Sequence, residues 1–281
     1  MNVFFTGDLH FGITSDYAIN QMIEHALEEN VDLFILIGDL AESRISVSLF
    51  ETCMDFFCRT KIPALVIPGN HDLWVESRTG NHGKQNSSRK LYDKTLKGIT
   101  EDKGGIWLET TNHIIGKIGF VGSYLHYDYS ARDNVGVTNG LSDDYFHHNR
   151  SSILNDGTYM PDITDDRKFA KEVGQSFQKR LKLAQNNPDI ETIVVATHVP
   201  CMECQITRRP FNYSWSVATP FFGNLSHQHL LLSSDKVKYI VSGHSHQGSE
   251  NIIEHNNRKI NIINLSSDYG KPSGKMLKIG I

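Results

Sequence analysis

The sequence predicts an α/β fold in which a largely parallel sheet is covered by helices. Two observations carry this reading. Short, uninterrupted apolar runs recur along the chain, each followed at once by a turn residue, and segments with helical apolar spacing lie between them. Such runs suit strands buried on both faces, whereas a sheet with one wet face would alternate apolar and polar residues. The chain has 281 residues, 39% hydrophobic and 21% charged, which excludes a disordered polymer and allows a core without disulfide staples.

Val3-Phe4-Phe5 is the first strand and stops at Gly7-Asp8. Residues 16–30 read as a helix: Ser15 can cap it, and Ile19, Ile23, Ala26 and Leu27 share a face. Residues 33–37 form a strand ending at Gly38-Asp39, residues 47–59 a helix, and residues 64–67 a strand ending at Pro68-Gly69-Asn70-His71-Asp72. Strands follow at 106–108 and 118–121. Residues 124–165 are rich in Asp, Asn, Ser, Tyr and His with little periodicity, which suggests a functional insertion or lid. A polar surface helix is expected over 166–186, a strand over 192–196 ending at Thr197-His198, and a short helix over 225–232. The strand at 237–241 ends at Ser242-Gly243-His244-Ser245-His246. Residues 252–253 and 259–264 look like closing strands, joined as a hairpin across Asn256-Asn257. With no linker in view, the expected organisation is one domain, 1–281, with insertions around 72–104, 124–165 and 200–224.

One event therefore repeats at five strand ends. Asp8 and His10, then Asp39, then Asn70 and His71, then His198, then His244 and His246 follow immediately on an apolar run. In α/β sheets ligands bind beyond the carboxyl ends of strands, so these groups should meet on one rim. Each alone has a plainer reading, as a turn or cap residue or a satisfied histidine; the ordered set does not.

Gly7-Asp8-Leu9-His10, Gly38-Asp39, Gly69-Asn70-His71-Asp72, Thr197-His198 and Gly243-His244-Ser245-His246 together resemble the calcineurin-like metallophosphoesterases. The motifs span residues 7 to 246, and 31 residues separate Asp8 from Asp39 and Asp39 from Asn70, room for one strand–helix unit each. The resemblance implies a four-layer α/β/β/α sandwich and a two-metal centre. It implies that Asp8, His10, Asp39 and His246 bind one cation, that Asp39, Asn70, His198 and His244 bind the other, and that Asp39 bridges. His71 would bind no metal; it would contact the substrate phosphate or protonate the leaving group. The chemistry suits these residue types. A carboxylate has two oxygens with which to bridge, and two divalent ions about 3.5–4 Å apart can clamp an in-line displacement and acidify the attacking water or hydroxide. A donor set of oxygen and nitrogen without thiolate suits Mn, Fe, Co, Ni or Zn in an open site. Asp72 could orient one of the histidines or simply serve the turn.

The expected activity is hydrolysis of a phosphate ester, on a small molecule or nucleotide. The net charge of −4 gives no bulk basicity for nucleic acid, which disfavours the alternative of a phosphodiesterase or nuclease. Protein-phosphatase relatives carry Gly-Asp-x-Val-Asp-Arg-Gly and Gly-Asn-His-Glu, whereas this chain continues Gly38-Asp39 as Leu40-Ala41-Glu42-Ser43-Arg44 and Asn70-His71 as Asp72, a bacterial-type pattern. A partner-binding scaffold with a dead centre would lack some of these residues, and here all are present. The longest wholly apolar run, 33–37, has five residues against about 20 for a membrane span. The first residues carry no secretory signal, and four cysteines do not suggest a disulfide framework, so a cytoplasmic protein is expected. Cys201-Met202-Glu203-Cys204 has zinc-like spacing but no second pair. Arg44, Arg132, Arg150, Arg208 and Arg209 are candidate phosphate partners more plausibly solvated. The aromatic group Trp74, Tyr124, Tyr127, Tyr129, Phe211, Tyr213 and Trp215 is read as a partly aromatic pocket wall.

Overall fold

The computed structural model describes residues 1–76 and 87–280. Part of the expected 72–104 insertion, residues 77–86, lies outside the described residues. The strands are β1 (Asn2–Thr6), β2 (Leu33–Ile37), β3 (Ala64–Ile67), β4 (Ile106–Trp107), β5 (His113–Ile115), β6 (Ile118–Ser123), β7 (Thr192–Thr197), β8 (Val237–Ser242), β9 (Ser249–His255), β10 (Arg258–Asn264) and β11 (Gly274–Lys278). They form two sheets, in the orders β11-β1-β2-β3-β4 and β5-β6-β7-β8-β10-β9. Pairing is parallel from β1 to β4 and through β6, β7, β8 and β10, with β11, β5 and β9 added antiparallel.

Apolar residues on both faces of each strand explain the layering. Phe5, Ile35 and Leu65 of the first sheet meet Phe120, Val194 and Val241 of the second in a central core. On the outer face of the first sheet Phe34 and Val66 pack with α1 (Asp16–Glu28) and α2 (Ser48–Cys58) through Ile19, Ile23, Phe50 and Met54. On the outer face of the second, Val121 and Val195 pack with Phe177 and Leu181 of the long helix Asp166–Asn186. Helix, sheet, sheet and helix are the four layers expected.

Several details differ from the sequence reading. Ser15 Oγ does accept from Ala18 N at 3.3 Å, but Met22 rather than Leu27 completes the buried face of α1, and Leu27 is 40% exposed. The long helix is not simply polar: Phe169, Val173, Phe177 and Leu181 form a buried stripe at its helical spacing. The residues 225–232 begin as a 3₁₀ turn, Leu225–His227, before the α-helix Gln228–Ser233. The irregular 124–165 segment holds a helix at Asp143–Ile153 and a short one at Asp156–Tyr159. The β9–β10 hairpin turns at Asn256 and Asn257, with φ of 52° and 57°, the left-handed pair that a two-residue hairpin needs. Strand β11, which the sequence reading lacked, pairs residue by residue with β1.

Candidate metal centre

Three strands of the first sheet and two of the second deliver the donors. Asp8 and His10 follow β1, Asp39 follows β2, Asn70 and His71 follow β3, His198 follows β7, and His244 and His246 follow β8. The structure brings all eight to one rim. Donor atoms of Asp8, His10 and His246 lie within 4.8 Å of one another, as do those of Asp39, His198 and His244, and those of His10, Asp39 and His71. Asp39 and His10 thus each belong to two sets.

The backbone is bent to achieve this. Asp8, His10, Asp39, His244 and His246 all have φ between 46° and 68°, a region costing a non-glycine residue about 1–3 kcal/mol. Loop-to-loop bonds sustain it: Asp8 N donates to Gly38 O and His10 N to Asp39 O, both at 2.9 Å. Gly38, at φ +89°, passes so close that a Cβ there would sit 2.7 Å from His198 Nδ1.

Each imidazole has one nitrogen committed outward. His198 Nδ1 lies 2.8 Å from Ile37 O, His244 Nε2 lies 2.9 Å from Phe221 O, and His246 Nδ1 lies 2.8 Å from Ser267 O. His10 Nδ1 and His71 Nδ1 lie 3.0 and 2.7 Å from one oxygen, Glu42 Oε1. Carbonyl and carboxylate oxygens only accept, so these nitrogens carry the hydrogens and the opposite ones face inward with lone pairs when the ring is neutral. Burial holds His198 well below its ordinary pKa and also lowers His10 and His244, which favours the neutral ring. Burial likewise holds His71 down at about 4, against the pull of Glu42.

The result is a pocket of facing acceptors. His198 Nε2 and His244 Nδ1 are each 3.0 Å from Asn70 Oδ1. His10 Nε2 is buried with no hydrogen-bond partner. His198 Nε2 is 3.4 Å from Asp39 Oδ1, and His10 and His71 Nε2 are 3.9 Å from Asp39 Oδ2. Burial, then the charges of Asp8 and Asp72, push Asp39 well above the usual carboxylate range, and burial raises Asp8 as well. Lone pairs and carboxylates gathered this tightly repel unless positive charge sits among them. The residues therefore fit divalent cations.

Three participants escaped the sequence reading. Glu42, buried, links His10, His71 and Arg44, whose Nε donates to Oε2 at 2.8 Å. A carboxylate three residues past Asp39, inside Leu40-Ala41-Glu42, was the available signal. Asp156 accepts from Asn70 Nδ2 at 2.9 Å. Tyr269 stacks on His10 at 4.1 Å between centroids, with its hydroxyl 3.5 Å from His71 Nε2. Among the described residues Asp72 orients no histidine: it accepts from Ala41 N and Gly69 N at 2.9 and 2.8 Å and braces two loops, with burial pushing its pKa up to about 7. A cavity of about 220 Å³ opens over the donors, walled by Trp74, Leu154, Phe222 and Tyr269.

Of the expected aromatic wall, Trp74 lines this cavity, while Tyr124, Tyr127 and Tyr129 are buried in the core. The arginines mostly serve structure. Arg132 pairs with Asp143, Arg150 with Asp166, and Arg208 with Asp133 and Glu203, while Arg209 lies 4.1 Å over the Trp215 ring. All four cysteines are free. Among the described residues no helix is long and apolar enough to cross a membrane.

A centre of this composition at the strand ends of a four-layer sandwich defines a metallophosphoesterase, a hydrolase of phosphoric ester bonds. The comparisons agree: the family described as calcineurin-like phosphoesterase matches residues 1–248, and the chain belongs to it. Among solved structures, the phosphopantetheinyl hydrolase PptH from Mycobacterium tuberculosis superposes with a TM-score of 0.66 at 16% identity, covering 98% of this chain and 95% of that one. A dimetal phosphatase from Danio rerio superposes with a TM-score of 0.52 at 15% identity, covering 94% and 86%. At such identities the likeness is one of fold.

Proposed function

We propose that this chain is a binuclear phosphoesterase acting on a small phosphate ester or nucleotide. The observation that carries the reading is the chain of three donor sets joined through His10 and Asp39, with ring lone pairs turned inward. Asp8, His10, Asp39 and His246 would hold one cation, and Asp39, Asn70, His198 and His244 the other, with Asp39 shared. Manganese, iron, zinc, cobalt or nickel would suit these donors. When bound, such a pair supplies Lewis acidity towards phosphate oxygens and a water acidic enough to attack near neutral pH.

The chain's own residues do the rest. His71, with Nδ1 donating to Glu42, turns Nε2 to the cavity; once Nε2 takes up a proton from solvent, with the Glu42 carboxylate balancing the charge, it donates to a phosphate oxygen or passes that proton to the departing oxygen. The indole of Trp74 lies 3.5 Å from the His71 ring and limits its rotation. A cavity of about 220 Å³ admits a phosphoryl group with a small leaving group and supports a small substrate over a nucleic acid. One folding unit with insertions suits a centre to which both sheets contribute, and four free cysteines suit the reducing cytoplasm.

The test is a screen of phosphomonoesters, cyclic and linear phosphodiesters, and single- and double-stranded DNA, using Mn²⁺-loaded protein beside a chelated control. Cation-dependent turnover of a small monoester is expected. Turnover confined to DNA would replace the substrate reading, and two bound cations without hydrolysis of any ester would defeat the enzymatic one.

A further inference from the structure

The 124–165 insertion sends one carboxylate into the centre, and no metal role needs it. Asp156 begins the short helix Asp156–Tyr159 and is 2% exposed. Its Oδ1 accepts from Asn70 Nδ2 at 2.9 Å and from Trp74 Nε1 at 2.6 Å, and its Oδ2 accepts from Tyr127 OH at 2.9 Å. A second tie holds the insertion here, since Val75 N donates to Tyr159 O at 2.9 Å.

An amide side chain is nearly symmetric in shape and opposite in function at its two ends. Nothing in the Asn70 backbone decides whether oxygen or NH₂ faces the pocket. Asp156 decides it, because an ionised carboxylate only accepts and so selects the NH₂ end. The flipped amide would set two oxygens against each other at hydrogen-bonding distance and turn NH₂ towards the proposed cation. The same Oδ1 holds Trp74, whose ring stacks on His71.

We infer that Asp156 is a positioning residue that fixes Asn70 with its oxygen inward, and that the insertion is thereby part of the metal centre. The inference rests on reading Asn70 as a cation ligand. Carboxylates that act this way, through a ligand, commonly change metal affinity 10–100-fold when removed.

The experiment compares wild type, Asp156→Ala and Asp156→Asn in calorimetric Mn²⁺ titrations of chelated protein, with the folded state followed by circular dichroism. D156A should weaken one of two binding events at least tenfold and leave the other within threefold. D156N, whose oxygen can still accept from Asn70, should recover most of that loss. A fold-independent readout uses loaded wild-type protein labelled with ¹⁵N-asparagine, the Asn70 signal being identified by its loss in Asn70→Ala. Its side-chain amide protons should exchange far more slowly than those of exposed asparagines, and that protection should be lost in D156A. Should D156A fail to fold, the wild-type amide signal still decides. Fast Asn70 amide exchange, or two unaltered binding events in D156A, would overturn the inference and leave the phosphoesterase reading standing. Wild-type protein that binds no Mn²⁺ would overturn both.

Discussion

Glu42 offers the sharpest test of how the centre is supported. One oxygen accepts from His10 and His71, and the other from Arg44. Glu42→Ala leaves two buried imidazole N–H groups without acceptors, at about 1–3 kcal/mol each, so about 2–6 kcal/mol in all. That is a large share of the roughly 5–15 kcal/mol by which a domain is stable. Glu42→Gln is milder. Its amide oxygen can keep both imidazoles, but two charge-assisted bonds become neutral ones at about 1 kcal/mol each, so about 2 kcal/mol or about 30-fold in an equilibrium constant. Its NH₂ must also face the Arg44 N–H, donor against donor. The expectation is a folded E42Q protein that binds Mn²⁺ about fivefold more weakly, since only the bond to His10 supports a cation ligand, and that turns over more slowly, and an E42A protein that melts well below wild type. Calorimetric titration of chelated protein and thermal melts measure both. Wild-type cation affinity in E42Q, with E42A melting at the wild-type temperature, would refute the reasoning.

Asp39→Asn should lower both cation occupancy and rate, because an amide bridges poorly; elemental analysis showing two cations at full rate would remove Asp39 from the bridging position. His71→Ala should keep the cations and lose about 10²–10⁴ in kcat, most on substrates with poor leaving groups. Loss of rate only in step with loss of metal would show that His71 is a ligand instead. Asp166, whose partners are His126, Tyr129 and Arg150 and none of the eight donors, provides a pH test. Burial alone would raise its pKa, but His126 at 2.9 Å, Arg150 at 3.3 Å and Tyr129 at 2.6 Å outweigh it and hold the carboxyl below 3.8. Its contribution is therefore present above about pH 4 and lost as pH falls through the lowered folded value. In urea denaturation of chelated protein, Asp166→Asn should be less stable than wild type at pH 7, and the gap should close in acid; a constant gap would contradict the linkage.

How much was legible follows from which signals are local. Strand ends and donors could be read because a buried parallel strand announces itself as an apolar run and its polar successor is adjacent in sequence, as in Val66-Ile67 before Asn70. The supporting residues are joined only by folding. Asp156 lies 86 positions from Asn70, in a segment whose helices lack a clear apolar period. Tyr124, Tyr127 and Tyr129 stand three and then two positions apart after β6, a spacing equally compatible with a pocket wall and with a core, and burial chose the core. Strand β11 was hidden because Gly274–Lys278 is at an edge, half exposed and rich in lysine, so its apolar content is thin.

The separation of the donors along the chain bears on how the protein comes to exist. His244 donates its backbone N–H to Asp8 across 236 positions, and the two belong to different sheets. No early fragment can hold the assembled site, since its halves meet only when the sheets dock, and contacts so distant in sequence form slowly. Capture of cations by the full donor set would thus report completed assembly of the molecule.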